Sequence, residues 1–395
     1  MLAVPNLRAP LPIGAILQEF ALATTTTAGD PTATMPIDFR KLITTTKPNL
    51  AEFVLRGLLR ILCPPYWVAA KLKNVAYDRG WKKVQPTPLP TISIGNLSVG
   101  GTGKSPVVAW IARELRQHGL RVAILSRGYG QLDDGRNDEA LELELALPDV
   151  PHVQNPNRGQ AAELAADELE MQALVLDDAF QHRRIERHLD IVLIDATDPI
   201  GAQMVLPRGL YREPLSSLAR ADLVLLTRSD QVSEAVLLRW HKKIARQCSA
   251  SILHAKHGPQ ELLQVGREPQ SILNSAGEST LRGKKVLAFC GIGNPDAYFA
   301  TLESLGVELV DTRVWPDHHA YEAEDIQTLT QWSQEYTDAE AIICTVKDWV
   351  KIQTSQIAGR DLVALSIQLQ LSQEEEQSLR EMLLELPFPL PEESP

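Results

Sequence analysis

The sequence predicts an α/β fold in which a parallel sheet carries helices on both faces. Five short apolar runs have the composition of buried strands: 91–95, 122–126, 173–177, 191–195 and 223–227. Helical patterns separate several of them, notably at 105–118 and 232–247. Continuous apolar strands joined by helical crossovers are typical of such a sheet, and ligands bind at the carboxyl ends of its strands.

A second, smaller α/β unit is predicted after a stretch of weak pattern at 258–282. It has strands near 286–290, 307–314, 341–345 and 362–368, and helices near 295–305, 322–336 and 372–386. Residues 1–46 lack periodicity, which predicts a disordered extension. The expected division is a disordered extension (1–46), amphipathic basic helices (47–83), a core (84–265) and a C-terminal domain that completes the cleft (283–395).

The segment 47–83 is basic on an acidic chain. It holds eight Lys and Arg residues against two acidic residues, so its charge of +6 leaves −17 for the rest of a chain whose net charge is −11. Its residues 50–62 are amphipathic, and Pro64 and Pro65 are expected to end that helix before a second one begins at Tyr66. An N-terminal amphipathic helix pair of this kind fits an anionic membrane surface or packing on the next domain.

Composition excludes several classes of protein. The acidic balance argues against general nucleic-acid binding. The four cysteines lie far apart with no C-x-x-C pair, which argues against a zinc site or a disulfide framework and fits a reducing compartment. No run approaches the roughly 18 uninterrupted apolar residues expected of a membrane span.

A phosphate-binding loop follows the first predicted strand. The residues ISIGNLSVGGTGKSP (92–106) form a strand, a glycine-rich turn and the start of a helix, which is the context that a Walker A motif requires. Lys104 would reach the β- and γ-phosphates and Ser105 would bind Mg²⁺. The first glycine of the motif is replaced by Ser98. The expected fold is therefore of the P-loop NTPase type, against the alternative of a glycine-rich turn without a ligand. The predicted nucleotide-binding residues are Ser98, Val99, Gly100, Gly101, Thr102, Gly103, Lys104 and Ser105.

Two adjacent carboxylates, Asp177 and Asp178, end the third predicted strand. A hydrophobic strand that ends in Asp is a Walker B pattern, which holds Mg²⁺ directly or through water. The alternative is that these residues cap a helix. His182 lies four residues after Asp178 and is expected in the site because it follows this carboxylate pair so closely.

Other charged residues follow neighbouring strands. Arg127 follows the second predicted strand, and Arg208 and Arg212 follow the fourth, where guanidinium groups suit phosphate recognition. TRSD (227–230) only partly matches the guanine-reading N-K-x-D motif, and Asp178 does not begin D-x-x-G, so a GTPase switch is disfavoured. Residues alone do not distinguish Asp138 and Glu139 from solvated surface. His318 and His319 beside Asp317 lack further ligands at metal-site spacing.

Taken together, these motifs resemble the tetraacyldisaccharide 4′-kinase family, the lipid A disaccharide kinases. The resemblance covers roughly residues 50–370, and the family's phosphate loop also lacks the first glycine. The matching stretches are GNLSVGGTGKSP (95–106), LSRGYG (125–130), NDEA (137–140), DDAFQHRRIERHLDIVLID (177–195), LPRGLYREPLSSLARAD (206–222), CGIGNPDAYFATLESLG (290–306), WPDHHAY (315–321) and TVKDWVK (345–351).

The resemblance implies transfer of the γ-phosphoryl group of ATP, with Mg²⁺, to the 4′-hydroxyl of a tetraacylated glucosamine disaccharide 1-phosphate. It implies catalytic roles for Lys104, Asp138, Asp178 and His318, and metal binding by Ser105, Asp177 and Asp178. It implies substrate binding by Arg127, Gln181, His182, Arg212 and Glu213. It also implies a peripheral enzyme on the cytoplasmic face of the inner membrane, whose partners are its lipid substrate and an anionic membrane surface. No protein partner is predicted.

The chain departs from the family pattern at two places. Ala179 stands where the family has Gly, and Asn137 and Ala140 flank the acidic pair where the family has Gly and Pro. Two other classes remain open. A soluble small-molecule kinase or ATP-dependent ligase would not need the amphipathic segment. A dimerising partitioning-type ATPase would carry a second lysine, where this chain has Val99.

Overall fold

The first sheet is parallel throughout and carries the phosphate loop near its centre. A computed structural model describes residues 42–43, 45, 47–128, 138–199, 203–275 and 277–388. The strands run in the order β3-β2-β4-β1-β5-β6-β7. Their bounds are β1 (Thr91–Asn96), β2 (Val122–Ser126), β3 (His152–Gln154), β4 (Ala173–Leu176), β5 (Leu189–Asp195), β6 (Leu223–Thr227) and β7 (Ser251–His254). The five predicted strands are β1, β2, β4, β5 and β6; the two edge strands β3 and β7 were not predicted.

Helices cover both faces of this sheet, as the sequence predicts. Apolar residues of α2 pack on one face, and alanines of α4 pack on the other. The helices are α1 (Leu50–Asp78), α2 (Lys104–Gln117), α3 (Asp138–Ala146), α4 (Arg158–Asp167), α5 (Glu234–Ala245), α6 (Pro295–Ser304), α7 (Ala323–Glu335), α8 (Val346–Ile352) and α9 (Gln373–Leu384). Of these, α3, α4 and α8 were not predicted.

The second sheet is mixed and begins earlier in the chain than expected. Its strands are β8 (Lys256–Leu263), β9 (Gln270–Ser271), β10 (Lys285–Cys290), β11 (Glu308–Val314), β12 (Ala341–Thr345), β13 (Gln356–Ile357) and β14 (Arg360–Gln370). They run in the order β11-β10-β12-β14-β8-β9, with β13 beside β14, and β8 pairs antiparallel with β14. The chain therefore changes sheets at Ala255, ten residues before the expected core limit at residue 265. The turn-forming residues at 258–282 lie within the second unit.

The C-terminal helix α9 returns to the first sheet. Leu379 and Leu383 are fully buried in the apolar cluster that α2 forms on that sheet. The guanidinium of Arg380 donates to Glu114 on α2 at 2.7 Å. The last helix of the segment 283–395 therefore packs on the first sheet and connects the two sheets.

Helix α1 is one continuous helix of 29 residues, so the predicted break at Pro64 and Pro65 is wrong. Contacts on both sides of the prolines outweigh their unfavourable propensity: Cys63 Sγ lies 3.3 Å from the Val205 carbonyl, and the Tyr66 hydroxyl donates to the Arg212 carbonyl at 2.9 Å. Among the described residues, α1 is the helix that is long and apolar enough to cross a membrane by length and composition.

The outer face of α1 is apolar and exposed. Leu50, Phe53 and Ile61 expose 81%, 66% and 70% of their surface, and further large apolar residues on the same helix are open to solvent. Within the predicted extension 1–46, Leu42 and Ile43 are helical and buried. Residues 1–41 lie outside the described residues.

Candidate active site

The phosphate loop joins β1 to α2 at the centre of the first sheet, in the strand-turn-helix context that the sequence predicts. Gly103 precedes the helix with φ +80°, and the ring of His257 lies 1.8 Å from the position that a Cβ there would take. Only glycine fits both conditions. The side-chain amide of Asn96 donates to the Thr102 hydroxyl at 2.8 Å, and the Val99 N–H donates to the Leu210 carbonyl at 2.7 Å. The loop is thus held by its neighbours on both sides.

Asp178 is the ionised member of the carboxylate pair after β4. Its two oxygens accept one hydrogen bond each from Arg212, both at 2.9 Å, and Lys104 Nζ lies 3.5 Å away. Burial opposes ionisation, but the charges of Arg212 and Lys104 outweigh it and hold the pKa of Asp178 well below its usual range. Its φ of +47° turns the chain at this point.

Asp177 has the opposite electrostatic environment. The residue is 3% exposed, and its Oδ1 is buried without a hydrogen-bond partner among the described residues. Burial, with the negative charge of Glu139, raises the pKa of Asp177 to about 7. Neighbouring carboxylates with separated pKa values mark a site built for charge chemistry.

The donor set fits Mg²⁺. The orphaned carboxylate oxygen of Asp177, next to Asp178 in the chain, offers a hard oxygen ligand of the kind that this ion takes, and the Ser105 hydroxyl in the first turn of α2 is a further candidate. No group of three or more His, Cys, Asp or Glu residues able to hold a metal is found in the described part of the chain. Mg²⁺ at nucleotide sites is usually bound by one or two carboxylates together with phosphate oxygens.

Asp138 and His318 meet across the cleft between the two sheets. His318 Nδ1 lies 3.0 Å from both Asp138 oxygens, and the ammonium of Lys351 lies 3.5 Å from Oδ2. Burial disfavours the Asp138 charge, but the hydrogen bond from His318 and the nearby lysines hold its pKa well below normal. The same hydrogen bond raises the pKa of His318, which has φ +61°.

The acidic end of α3 also faces the phosphate loop. Glu142 forms a side-chain hydrogen bond with Ser105, and burial raises its pKa. Glu139 pairs with Lys347 on α8 at 3.2 Å, and that lysine, followed by Lys104, lowers the pKa of Glu139. The helix that carries Asp138 is therefore fixed between the nucleotide loop and the second sheet.

The residues predicted to bind the acceptor differ in their contacts and in their exposure. Gln181 lies beside the loop, where its amide donates to the Asn96 carbonyl at 2.8 Å. His182 is kept neutral, since burial and the charge of Arg158 lower its pKa to about 3. Arg127 is exposed at the end of β2. Glu213 is only 2% exposed and binds Asn74 and Arg220, so its role in the site is structural.

Helix α1 contacts three of these acceptor-side residues. Besides the bond from Tyr66 to the Arg212 carbonyl, Lys73 Nζ donates to the Gln181 carbonyl at 3.0 Å. The Asn74 amide donates to Glu213 at 3.0 Å. The helix with the exposed apolar face is thus attached to the loops beside the phosphate site.

Arg158 was not predicted as a site residue; it is 3% exposed at the start of α4. Its guanidinium donates to the carbonyls of Asp177 and Asp178, at 2.5 and 3.3 Å, and so fixes the turn that presents both carboxylates. Lys351, which lies 3.5 Å from Asp138, was not predicted either. The N-cap Asn157 was the available signal for the helix that carries Arg158.

The fold accommodates the two departures from the family pattern that lie among the described residues, Ala179 and Ala140. Ala179 needs no positive φ, because the turn falls on Asp178, and its methyl group is buried in the apolar cluster between the sheet and α4. Ala140 is buried within α3. Tyr129, Gly130 and Asn137 lie outside the described residues.

Comparisons with known proteins show the family to which the chain is similar. The family model described as tetraacyldisaccharide-1-P 4′-kinase matches residues 55–386. A tetraacyldisaccharide 4′-kinase of Desulfatibacillum aliphaticivorans is 35% identical over 80% of this chain and 89% of its own. The same enzyme of Geobacter metallireducens is 37% identical over 75% of this chain and 88% of its own.

One solved structure is also similar. It is LpxK from Aquifex aeolicus in complex with ATP, at 27% identity and a TM-score of 0.62, covering 84% of this chain and 98% of that one. The family model spans both sheets and every residue described in the site. The chain therefore belongs to the tetraacyldisaccharide-1-P 4′-kinase family and is an ATP-dependent kinase of lipid A biosynthesis with a hydroxyl acceptor.

Proposed function

We propose that this chain transfers the γ-phosphoryl group of ATP to the 4′-hydroxyl of a tetraacylated glucosamine disaccharide 1-phosphate at a membrane surface. The observation that carries the proposal is the Asp138–His318 pair, whose helix also faces the phosphate loop through Ser105. A carboxylate held ionised opposite a phosphate site suits the binding of an acceptor hydroxyl.

The nucleotide side of the site is assigned to residues of the first sheet. Lys104 contacts the transferred phosphate, and Ser105, Asp177 and Asp178 would hold Mg²⁺. The ion, when bound, neutralises negative charge on the phosphates. Arg212 holds Asp178 through two hydrogen bonds and keeps it charged. Arg158 fixes the backbone of the same turn.

The acceptor side centres on Asp138. Its carboxylate accepts a hydrogen bond from the 4′-hydroxyl and orients that oxygen toward the γ-phosphorus. The new O–P bond forms as the bond between the γ-phosphorus and the bridging oxygen breaks, and ADP leaves. The hydroxyl proton passes to Asp138 late, because such transition states need little early proton removal. His318 and Lys351 keep Asp138 ionised and in place.

The acceptor's acyl chains explain the exposed face of α1. We propose that this face docks on the anionic cytoplasmic face of the inner membrane, because its apolar residues are accompanied by basic ones. Anionic lipids attract each basic residue near the surface with roughly 1 kcal/mol. The bonds from α1 to Arg212, Gln181 and Glu213 would then hold the acceptor loops at the membrane surface.

Comparison of acylated and deacylated acceptors tests the reaction. Transfer of label from γ-³²P-ATP is measured with the tetraacylated disaccharide 1-phosphate in mixed micelles and with the same disaccharide after deacylation. We expect transfer to the acylated acceptor and at least 100-fold lower kcat/KM for the soluble one. Equal kcat/KM for both, or ATP turnover without transfer, would contradict the proposal and favour a kinase of soluble acceptors.

Liposome co-sedimentation tests the docking separately. The charge-reversal variant should spare Arg56 and Lys73, because both form structural hydrogen bonds, to Leu42 and Gln181 respectively. The variant is Arg60→Glu/Lys71→Glu/Lys83→Glu. We expect wild-type binding that requires anionic lipid and weakens with salt, and loss of that binding in the folded variant. Binding by the variant equal to wild type would rule out the electrostatic contribution.

A further inference from the structure

The last residue of β6 and the residue after it contact the phosphate loop. Thr227 Oγ1 donates to the Thr102 carbonyl at 3.0 Å, and Arg228 Nη2 donates to the Gly101 carbonyl at 3.1 Å. Both residues are buried, and Arg228 has φ +53°. Both residues belong to the TRSD segment (227–230), which only partly resembles a guanine-reading motif. Their side chains bind backbone carbonyls of the phosphate loop.

These two bonds orient the peptide groups that the loop offers to phosphate. A peptide unit is planar and trans, so fixing a carbonyl also fixes the N–H of the next residue. Anchoring the Thr102 carbonyl on Thr227 turns the Gly103 N–H to the other side. Arg228 anchors the Gly101 carbonyl, and the Thr102 N–H of that peptide donates to the Gly100 carbonyl at 3.0 Å, so this bond fixes the turn from Gly100 to Gly103. Successive N–H groups directed at one point form the anion-binding concavity of such loops.

Arg228 is itself held by residues of both sheet units. Its Nη1 pairs with Asp195 Oδ2 at the end of β5, and the amide of Asn294 donates to the same oxygen at 3.3 Å. Asn294 precedes α6 and belongs to the second unit, where its Oδ1 caps that helix. Asp195 is 2% exposed and Asn294 is 7% exposed, so the network is shielded from water.

The second unit also contacts the loop directly. A Cβ at Gly293 would come within 2.8 Å of the Gly101 nitrogen, so the two backbones are in close contact. On the other side, the ring of His257 occupies the space beside Gly103. Burial, followed by the charge of Arg228, lowers the pKa of His257 to about 3, so this ring adds no second positive charge.

We propose that Arg228 is a positioning residue for the phosphate loop. Through the contact of Asn294 with Asp195, ATP affinity then depends on how the second unit packs against the first sheet. Arg228 touches neither nucleotide nor acceptor in this scheme. It acts through the Gly101 carbonyl. Loss of the bond should therefore weaken ATP binding more than it lowers kcat at saturating ATP.

The experiment measures the Kd of Mg-ATP by titration calorimetry, kcat at saturating ATP, and the unfolding midpoint for each variant. The variants are Arg228→Met, Arg228→Lys, Asn294→Ser and Asp195→Asn/Arg228→Met. Asn294→Ser keeps a side chain able to cap α6, and the double variant avoids an unpaired buried carboxylate. Arg360→Met is the matched control, because Arg360 makes several hydrogen bonds within the second unit away from the loop.

Removal of a hydrogen bond from a charged donor predicts about 10- to 100-fold weaker ATP binding in Arg228→Met and in the double variant. Arg228→Lys should lie between Arg228→Met and wild type, and Asn294→Ser should raise the Kd several-fold. A further variant, Asn294→Ser/Arg228→Met, should bind ATP no more weakly than Arg228→Met alone, because both changes act through one network. Arg360→Met should lower the unfolding midpoint and leave the Kd unchanged.

An ATP Kd within twofold of wild type in the folded Arg228→Met protein would overturn the proposal. Where Arg228→Met does not fold, the same result in Asn294→Ser overturns it. A Kd change that Arg360→Met reproduces also overturns it, since the effect would then follow general destabilisation. The binding measurement needs no lipid acceptor, so its failure is distinct from failure of the proposed transfer reaction.

Discussion

Asp177→Asn should make the metal-free protein relatively more stable as the pH rises, while it impairs catalysis. In the folded protein burial raises the pKa of Asp177 to about 7, against 3.8 as the ordinary value. The folded state therefore binds this proton more tightly than the unfolded state does. The associated stability is complete below pH 3.8 and is lost as the pH rises to about 7.

The magnitude follows from that difference. Each pKa unit corresponds to 1.36 kcal/mol, so ionising Asp177 in the folded state costs on the order of 4 kcal/mol in all. Between pH 5 and pH 8 the free energy of unfolding of wild type should fall by about 3 kcal/mol relative to Asp177→Asn. The comparison within a pair of proteins cancels the titration of groups that both share.

Urea unfolding at pH 5, 6, 7 and 8 in the presence of EDTA measures this difference. Asp149→Asn, an exposed residue paired with Arg116, serves as the matched control. Addition of Mg-ATP at pH 8 should stabilise wild type more than the variant, because the ion would use the orphaned Asp177 oxygen. A wild-type-minus-variant difference that stays constant within about 0.5 kcal/mol from pH 5 to pH 8 would refute this reasoning.

Two further outcomes follow from the site. Lys104→Ala should lower kcat by on the order of 10²–10³ because a transition-state contact is lost, and wild-type turnover in that folded variant would contradict the loop assignment. Asp138→Ala and His318→Ala should each lower kcat with little change in ATP Kd, and the double variant should be about as impaired as the worse single variant. Independent, additive losses would show that the pair does not act as a unit.

The parallel core was predictable because its signals are local. Each buried strand is an uninterrupted apolar run, and the glycines, Lys104 and the Asp pair stand at strand ends, which meet at one edge of a parallel sheet. The position of the loop between β1 and α2 followed directly. Edge strands such as β3 are short and half-buried, so their composition did not distinguish them from loops.

The features that the sequence did not predict depend on contacts between distant parts of the chain. Pro64 and Pro65 locally favour a break, but Tyr66 and Cys63 hold the helix against loops 140 residues or more away. The sheet to which β8 belongs depends on its pairing with β14, more than 90 residues later. The contact between Asp138 and His318 likewise spans 180 residues. Local propensity cannot encode such pairings.

The most direct test of the account is the position of the new phosphate after a single turnover. Wild-type protein is mixed with ATP, Mg²⁺ and the tetraacylated disaccharide 1-phosphate, and the product is identified by ³¹P NMR. We predict phosphate on the 4′-oxygen for wild type, and a much slower formation of the same product by Asp138→Asn with ATP Kd unchanged. Phosphate on another hydroxyl, or an unimpaired Asp138→Asn, would contradict the claim that this carboxylate orients the acceptor opposite the phosphate loop.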